Sequence, residues 1–377
     1  MAKKINYLTY KDTRKMFSKN DLQYLLLVGQ RSNGKSYCGK EDAIRNYVDT
    51  GRKFFYLRRY EEDIKPANVE RYLADMEVTR DPDTKKVIRE PIKELTNGNY
   101  TTVSVFRGNI YFANVLDNGK VVRGDHIGYV GSLNKPDRIK SQNFDDSDIV
   151  LFEEFITNKM YLLNEPTELQ QVVSTICRNS TIRVYMIGNT LSRINPYYSA
   201  WGLQGTSKQK QGELGLYAFK DPETNVQTNV GVFLCEELNR KSRMAFGSAA
   251  NQITKGYYHS DPQSKLISDV DEYDILHTIV FIYDNHGFLL QLLRHKYNRD
   301  HVTWYVQPKS TRPQAGTRII TDAYSEDPLV THSFKMGINE REIAALKMIP
   351  AGKIAFSDDL TGTEFKQCYK MLEMKRI

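Results

Sequence analysis

The chain has 377 residues, of which 40% are hydrophobic, 11% aromatic and 26% charged, a balance that describes a soluble globular protein and excludes collagen-like and mostly disordered classes. That length exceeds one ordinary core, so two domains are expected. Lys and Arg number 53 against 46 Asp and Glu, a net charge of +7 that favours a polyanionic partner without locating it.

No apolar run approaches the roughly 20 residues of a spanning helix. The opening MAKKINYLTYKDTRKMF holds no apolar stretch for a secretory signal, so a cytoplasmic protein with no membrane partner is expected. Cys38, Cys177, Cys235 and Cys368 are too far apart for a CxxC pair, and the histidines show no HExxH spacing. Neither a zinc ribbon nor a redox dithiol is predicted.

In chain order, the first clear element is Tyr24 to Val28, a continuous apolar run of the kind buried on both faces of a parallel sheet. A helix-compatible stretch from Lys35 to Tyr47 and a second strand, Lys53 to Leu57, closing on Arg58 and Arg59, complete a strand-helix-strand unit. Glu61 to Asp75 reads as helix. Thr101 to Phe106, Asn109 to Val115 and Val121 to Val130 read as strands joined by Arg107-Gly108 and Asp117-Asn118-Gly119, good hairpin chemistry, and are taken as an antiparallel insertion. The parallel pattern resumes with Ile149 to Phe152, a helix near Glu168 to Cys177, and Ile182 to Ile187 ending at Asn189. Such alternation implies a three-layer α/β domain.

From Asn195 to about Asp271 the sequence turns polar and its periodicity weakens, which predicts a linker or mobile loops. Strand patterns return at Leu276 to Tyr283, Phe288 to Leu293, Val302 to Val306 and Thr317 to Ile320. The expected organisation is a P-loop domain over 1–235, a linker over 236–270 and a smaller β-rich α+β domain over 271–377.

Gly29-Gln30-Arg31-Ser32-Asn33-Gly34-Lys35-Ser36 matches GxxxxGK[ST] in full, directly after a predicted strand and before a predicted helix. Glycines let backbone N–H groups curl around phosphate oxygens, and the next helix adds its positive end. Residues 29 to 37, including Tyr37, are therefore expected to hold ATP. Lys35 would neutralise the β and γ phosphates and the Ser36 hydroxyl would ligate Mg²⁺. Asn134-Lys135-Pro136-Asp137 and Asp125 to Gly128 imitate guanine-reading motifs, but only Tyr129 to Leu133 separate them, too few residues for the strand, helix and strand a GTPase places there.

The second motif is Asp148-Ile149-Val150-Leu151-Phe152-Glu153-Glu154, a buried strand delivering two acids at its C-terminal end, where ligands collect on an open α/β sheet. Glu153 is assigned to the metal and Glu154 to the attacking water. Arg178, at a helix end, is the candidate arginine finger, or a favourable partner of the helix dipole. Asn189 closes the next strand as a sensor of the γ phosphate or as a simple turn residue.

Between residues 291 and 318, Arg294, Lys296, Arg299, Lys309, Arg312 and Arg318 face Asp300 alone, with Tyr297, Trp304 and Tyr305 interleaved. That is a nucleic-acid footprint, or a charged face on a sheet domain. The Gly205 to Gly212 loop, with Lys208 and Lys210, is either a second backbone-tracking segment or a linker.

Together VGQRSNGKSY, FFYLRRY, the hairpins, DIVLFEEFI, TICRN and IGNTLSRINPYY resemble the DNA-encapsidation ATPases of small tailed phages with protein-primed genomes, the phi-twenty-nine type. The resemblance is tight at these motifs over most of the first 200 residues and faint beyond. It implies an ASCE-class ring translocase, a pentamer at the portal of an empty capsid in the infected cell's cytoplasm, pumping double-stranded DNA at the expense of ATP. It also implies Glu154 as catalytic glutamate, Arg178 as an arginine given in trans, and Lys140 as a second basic residue reaching the adjacent subunit. The C-terminal domain is implied to be RNase H-like without nuclease activity and to dock to capsid parts including a packaging RNA. Glu153 departs from the aspartate usual there. Asp284 either closes a strand as a nuclease carboxylate would or belongs to an ordinary hairpin turn. A terminase-like enzyme with an active nuclease and a nucleotide-gated nucleic-acid-binding module stand as alternatives.

Overall fold

The computed structural model describes residues 7–30, 33–81, 84–157, 160–177, 181–189, 194–203, 205–206, 209–220, 225–236, 265–284, 286–309 and 316–374. Helix α1 (Tyr10–Asn20) opens with a reciprocal capping box in which Thr9 and Asp12 satisfy each other's backbone N–H. Strand β1 (Tyr24–Gly29) is buried along its whole length and runs into the glycine loop. Helix α2 (Lys35–Thr50) follows, with Gly34 at its N-cap at φ +88° and Gly51 closing it at φ +73°. The N-cap has no side-chain cap hydrogen bond, so nothing on Gly34 competes for the first-turn N–H groups.

Strand β2 (Lys53–Arg58) leads through a 3₁₀ turn to α3 (Pro66–Glu77), which uses Pro66 at its first turn. A short ribbon, β3 (Thr79–Arg80) with β4 (Val87–Arg89), and α4 (Pro91–Leu95) precede β5 (Thr102–Phe106), β6 (Asn109–Val115) and β7 (Val121–Ser132). Then come α5 (Pro136–Lys140), β8 (Ser147–Glu153), α6 (Glu165–Ile176), β9 (Arg183–Asn189), α7 (Pro196–Ala200), β10 (Leu214–Lys220) and β11 (Gln227–Leu234).

Among the described residues these strands form a nine-stranded sheet in the order β10-β11-β1-β9-β8-β2-β7-β6-β5. β11, β1, β9, β8, β2 and β7 are mutually parallel, and β10, β6 and β5 are added in antiparallel pairings. Leu25, Leu27, Tyr56 and Leu151 bury one face against Ile44 of α2 and Leu73 of α3, and Leu26, Val28, Phe152 and Met186 bury the other against Leu169 and Val172 of α6. The expected three-layer α/β arrangement is therefore present.

The expected antiparallel hairpins are present as β5–β6–β7, and β7 also pairs in parallel with β2, so they extend the main sheet. One reading is corrected. The polar stretch after Asn195 carries β10 and β11, and β11 lies directly against β1 in register Tyr24 to Val230 through Val28 to Leu234. β10 is an edge strand with alternate residues exposed and β11 opens with polar residues, so neither carries the long apolar run that marked the inner strands.

The second sheet holds β12 (Tyr273–Tyr283), β13 (His286–His295), β14 (Val302–Pro308), β15 (Arg318–Thr321), β16 (Val330–Thr331) and β17 (Ile354–Phe356), ordered β16-β15-β12-β13-β14-β17. The antiparallel β12–β13–β14 meander is joined in parallel by β15 on one side and β17 on the other. Helices α8 (Glu340–Leu346) and α9 (Asp359–Met374) contribute Leu346, Phe365 and Cys368 to a core with Phe281, Trp304 and Ile320. Ile194, from the connection after β9, is buried in this same core. Among the described residues no helix is long and apolar enough to cross a membrane.

Candidate active site

Parallel register fixes which residues emerge together at the carboxyl edge of the first sheet. Gly29 pairs with Asn189, Glu153 with Ile187, and Leu57 with Phe152. Four strands, β1, β9, β8 and β2, thus end beside one another, and residues at or just past the ends of β1, β8 and β9 share one small cavity of about 190 Å³ lined by Lys35, Ser36, Glu153, Glu154, Gly188 and Asn189. The glycine loop and the acid doublet lie together. A far larger cleft, about 1090 Å³, opens at the other edge, near Tyr24, Asp148 and Arg183 at the starts of their strands, and among the described residues no predicted site residue lines it.

The Lys35 ammonium is buried and donates to the Gln30 carbonyl at 2.8 Å and to Asn189 Oδ1 at 2.9 Å. Asn189 is therefore set against the lysine. Gly29 must be glycine: a Cβ there would run into the Asn33 amide and come within 2.8 Å of Cys235 Cβ. Asn33 is 2% exposed, and among the described residues neither of its side-chain polar atoms has a hydrogen-bond partner. Native interiors rarely leave such an amide unsatisfied. Arg31 and Ser32 lie outside the described residues.

Glu153 is buried, and its Oε1 accepts from the Tyr72 hydroxyl of α3 at 2.8 Å while Ser36 also bonds its carboxylate. Burial pushes its pKa up, opposed by Tyr72, Ser36, Lys40 and Lys35. A divalent cation beside Ser36 and Glu153 would offset that burial cost, and hydroxyl and carboxylate oxygens are the donors Mg²⁺ selects. The residues present fit the ion.

Glu154 differs in every respect. Its backbone sits at φ +60°, an uncommon conformation for a residue with a Cβ, and its carboxylate accepts from Arg58 Nη2 at 2.7 Å with 58% of the side chain exposed. One acid is embedded and the other projects.

Arg58 and Arg59 had no assigned role in the sequence, although two arginines closing a buried strand at the nucleotide edge were a usable signal. Arg59 is buried; it bonds both oxygens of buried Glu165 at 2.7 and 2.8 Å and donates to the carbonyls of Glu154 at 3.0 Å and Phe155 at 2.9 Å. Tyr72 carried no sequence signal beyond helical spacing.

Other predicted residues fall elsewhere. Lys140, expected in a loop, ends α5 and reaches Gln171 Oε1 of α6 at 2.6 Å and Glu168 at 3.5 Å. Arg178, Lys208 and Arg312 lie outside the described residues. Lys210 is exposed in the turn before β10. The basic run of the second sheet does not form one patch: Arg294, Lys296 and Arg299 sit at the β13–β14 turn, whereas Lys309 bonds Gly287 at the far end of the same ladder. Arg318 is 6% exposed and paired with Glu342 at 3.3 Å, and Trp304 is core, leaving Tyr297 as the exposed aromatic of the three. Asp284 and Asp322 meet at the ends of neighbouring strands, where Asp284 N donates to Asp322 Oδ1 at 3.3 Å.

Fold and site define a mixed α/β protein whose parallel sheet brings a phosphate-type glycine loop and two acids to one edge. The resemblance read from the sequence is met by comparison: residues 4–98 match the model of the Podovirus DNA encapsidation protein (Gp16) family. The chain is 25% identical over 181 residues to the DNA packaging proteins of Bacillus phages PZA and phi29, covering 47% of this chain and 46% of each relative. It thus spans about half the length of the curated relatives it matches. Among solved structures it is similar to the bacteriophage Phi-29 viral genome packaging motor assembly, with 18% identity, coverage of 96% and 98% and a TM-score of 0.48. The large terminase of a thermophilic bacteriophage in complex with ADP shows 11% identity, coverage of 97% and 93% and a TM-score of 0.38.

Proposed function

We propose that this protein is an ATP-hydrolysing motor subunit that drives double-stranded viral DNA into a preformed capsid. The observation that carries the reading is the single cavity shared by Lys35, Ser36, Glu153, Glu154 and Asn189, in a chain related to DNA packaging proteins. Lys35 would bind the β and γ phosphates, Ser36 and Glu153 would hold Mg²⁺, and Glu154 would orient and deprotonate the attacking water. Magnesium, when bound, would neutralise charge developing on the phosphate oxygens. Asn189, already bonded to Lys35, would report on the γ phosphate.

The order β11-β1-β9-β8-β2 puts one strand between the glycine-loop strand and the acid strand, which supports placement among ASCE ring translocases. A pentameric ring at the capsid portal, transient in the infected cytoplasm, would let Arg178 and Lys140 act on a neighbour's nucleotide. DNA would pass the exposed basic groups Lys210, Lys296 and Arg299 and the half-buried Arg294. The meander with β15 added in parallel to β12 supports an RNase H-like second domain, docking to capsid parts and packaging RNA.

Steady-state ATP hydrolysis, measured with and without linear double-stranded DNA, is expected to rise severalfold with DNA; hydrolysis indifferent to DNA would remove the motor. For the trans role, mixing Arg178→Ala with Glu154→Gln subunits should recover ATPase activity that neither has alone, through interfaces pairing an intact site with an intact arginine. Mixed rings with no recovered activity would place Arg178 outside the neighbour's site.

A further inference from the structure

Three side chains to which the hydrolase reading gives no task are joined in one set beside Glu153: Lys40 of α2 with Tyr72 and Asp75 of α3. Lys40 lies four residues after Ser36, so the helix turns both to one face, and both act on the Glu153 carboxylate. Lys40 is 3% exposed; its ammonium bonds both oxygens of Asp75 at 2.6 Å and the Tyr72 carbonyl at 2.8 Å, and lies 4.4 Å from the centre of the Tyr72 ring. The ring also stacks on buried Tyr56 of β2, with centroids 4.6 Å apart and planes at 28°. Tyr72 is thus held by two neighbouring elements, and its hydroxyl donates to Glu153 Oε1 at 2.8 Å.

That bond limits what Glu153 can offer an ion. A carboxylate meets a cation through one oxygen or chelates it through both. With Oε1 committed to a phenol that cannot move away, one oxygen is left for an ion shared with Ser36. The two common divalent cations differ on this point. Mg²⁺ is small, keeps a near-ideal octahedron and draws on few protein oxygens, whereas Ca²⁺ gathers roughly six to eight oxygens in a flexible shell and gains from bidentate carboxylates. Partners one layer behind a metal ligand orient it and tune the ion it prefers.

We infer that Tyr72 is a positioning residue that restricts Glu153 to one-oxygen metal binding and so favours magnesium over calcium beside the glycine loop. Lys40 and Asp75 fix the tyrosine in that place. The inference rests on the reading of Ser36 and Glu153 as the metal-holding groups and adds which residue sets the choice of ion.

Equilibrium binding of ATP to the full chain, titrated with Mg²⁺ in one series and Ca²⁺ in another, tests it. Both ions also bind free ATP, but identically for every variant, so the ratio of variant to wild type isolates the protein. Tyr72→Phe keeps the ring, its stack and its contact with Lys40. It should raise the Mg²⁺ concentration for half-maximal binding about tenfold and leave that for Ca²⁺ the same or lower. In a Glu153→Gln background the same change should shift neither ion, a result that general loosening would not give. Asp75→Asn, at a half-exposed carboxylate, frees Lys40 without touching the ring and should move the ratio of the two ions in the same direction. If either folded variant shifts both ions equally or shifts neither, Tyr72 does not set the ion, while the metal site stands. Wild-type ATP binding indifferent to both ions would instead overturn the metal reading of Ser36 and Glu153.

Discussion

Glu154→Gln should bind ATP within about twofold of wild type and lower the rate of hydrolysis by about 10²–10⁴-fold, the range a positioned general base supplies. The substitution preserves size and leaves Lys35, Ser36 and Glu153 in place, so the groups that would bind the triphosphate are untouched. What it removes is the carboxylate that projects from a left-handed backbone at φ +60° beside Arg58. A residue held in that conformation costs folding energy and persists where the surroundings over-determine it. Here the surroundings are visible: Arg59 grips the Glu154 carbonyl and Arg58 its carboxylate. Single-turnover hydrolysis with pre-bound ATP separates binding from chemistry. A rate within about threefold of wild type would assign the water to another group.

Glu153→Gln should behave differently. That carboxylate is buried against Tyr72 and Ser36, where burial disfavours its charge, and on the proposed reading a bound cation would offset that cost. The neutral amide should weaken the magnesium dependence of ATP binding, readable as a rise in the Mg²⁺ concentration needed for half-maximal binding. On the proposed reading the two neighbouring acids would carry out two tasks, and their unlike surroundings follow from the strand's end: Glu153 is the last strand residue, and Glu154 leaves it at a positive φ.

Much of this arrangement was legible in the sequence because it depends on the inner strands. Tyr24 to Val28, Lys53 to Leu57 and Ile149 to Phe152 are apolar on both faces, and their ends delivered the glycine loop, the arginine pair and the acids to one edge. What escaped reading was whatever depends on partners distant in sequence. β11 is parallel to β1 across some 200 residues, and its polar start hid a strand whose reason to exist is the hydrogen-bonding edge of β1. The basic run from Arg294 to Arg318 looked continuous because composition does not record strand direction, and a ladder separates Arg299 from Lys309 while Arg318 turns inward to Glu342. Tyr72 reaches Glu153 from a helix 81 residues earlier, a relation set by the packing of α3 on the sheet.

Removing Arg59 should be the most destabilising single substitution near the site. Arg59 and Glu165 have side chains only 4% and 0% exposed and meet through two bonds, and Tyr197 donates a third to the same carboxylate at 2.7 Å. Burial drives the Tyr197 hydroxyl well above its ordinary pKa, with Glu165 adding to the rise, so it remains a donor across the accessible pH range. Arg59→Ala leaves the Glu165 charge buried without its cation, a loss of about 3–5 kcal/mol, whereas the double change Arg59→Met/Glu165→Met should cost distinctly less because no charge is stranded. Urea unfolding of both variants and of Glu165→Met measures the coupling. A single variant losing less than about 1 kcal/mol would mean that water reaches the pair and that it anchors nothing. The double variant also separates stability from chemistry, since it lacks the guanidinium donors to the Glu154 and Phe155 carbonyls. A folded Arg59→Met/Glu165→Met protein that binds ATP but hydrolyses it slowly is the result expected if the backbone of the acid loop is held in its strained form from beneath.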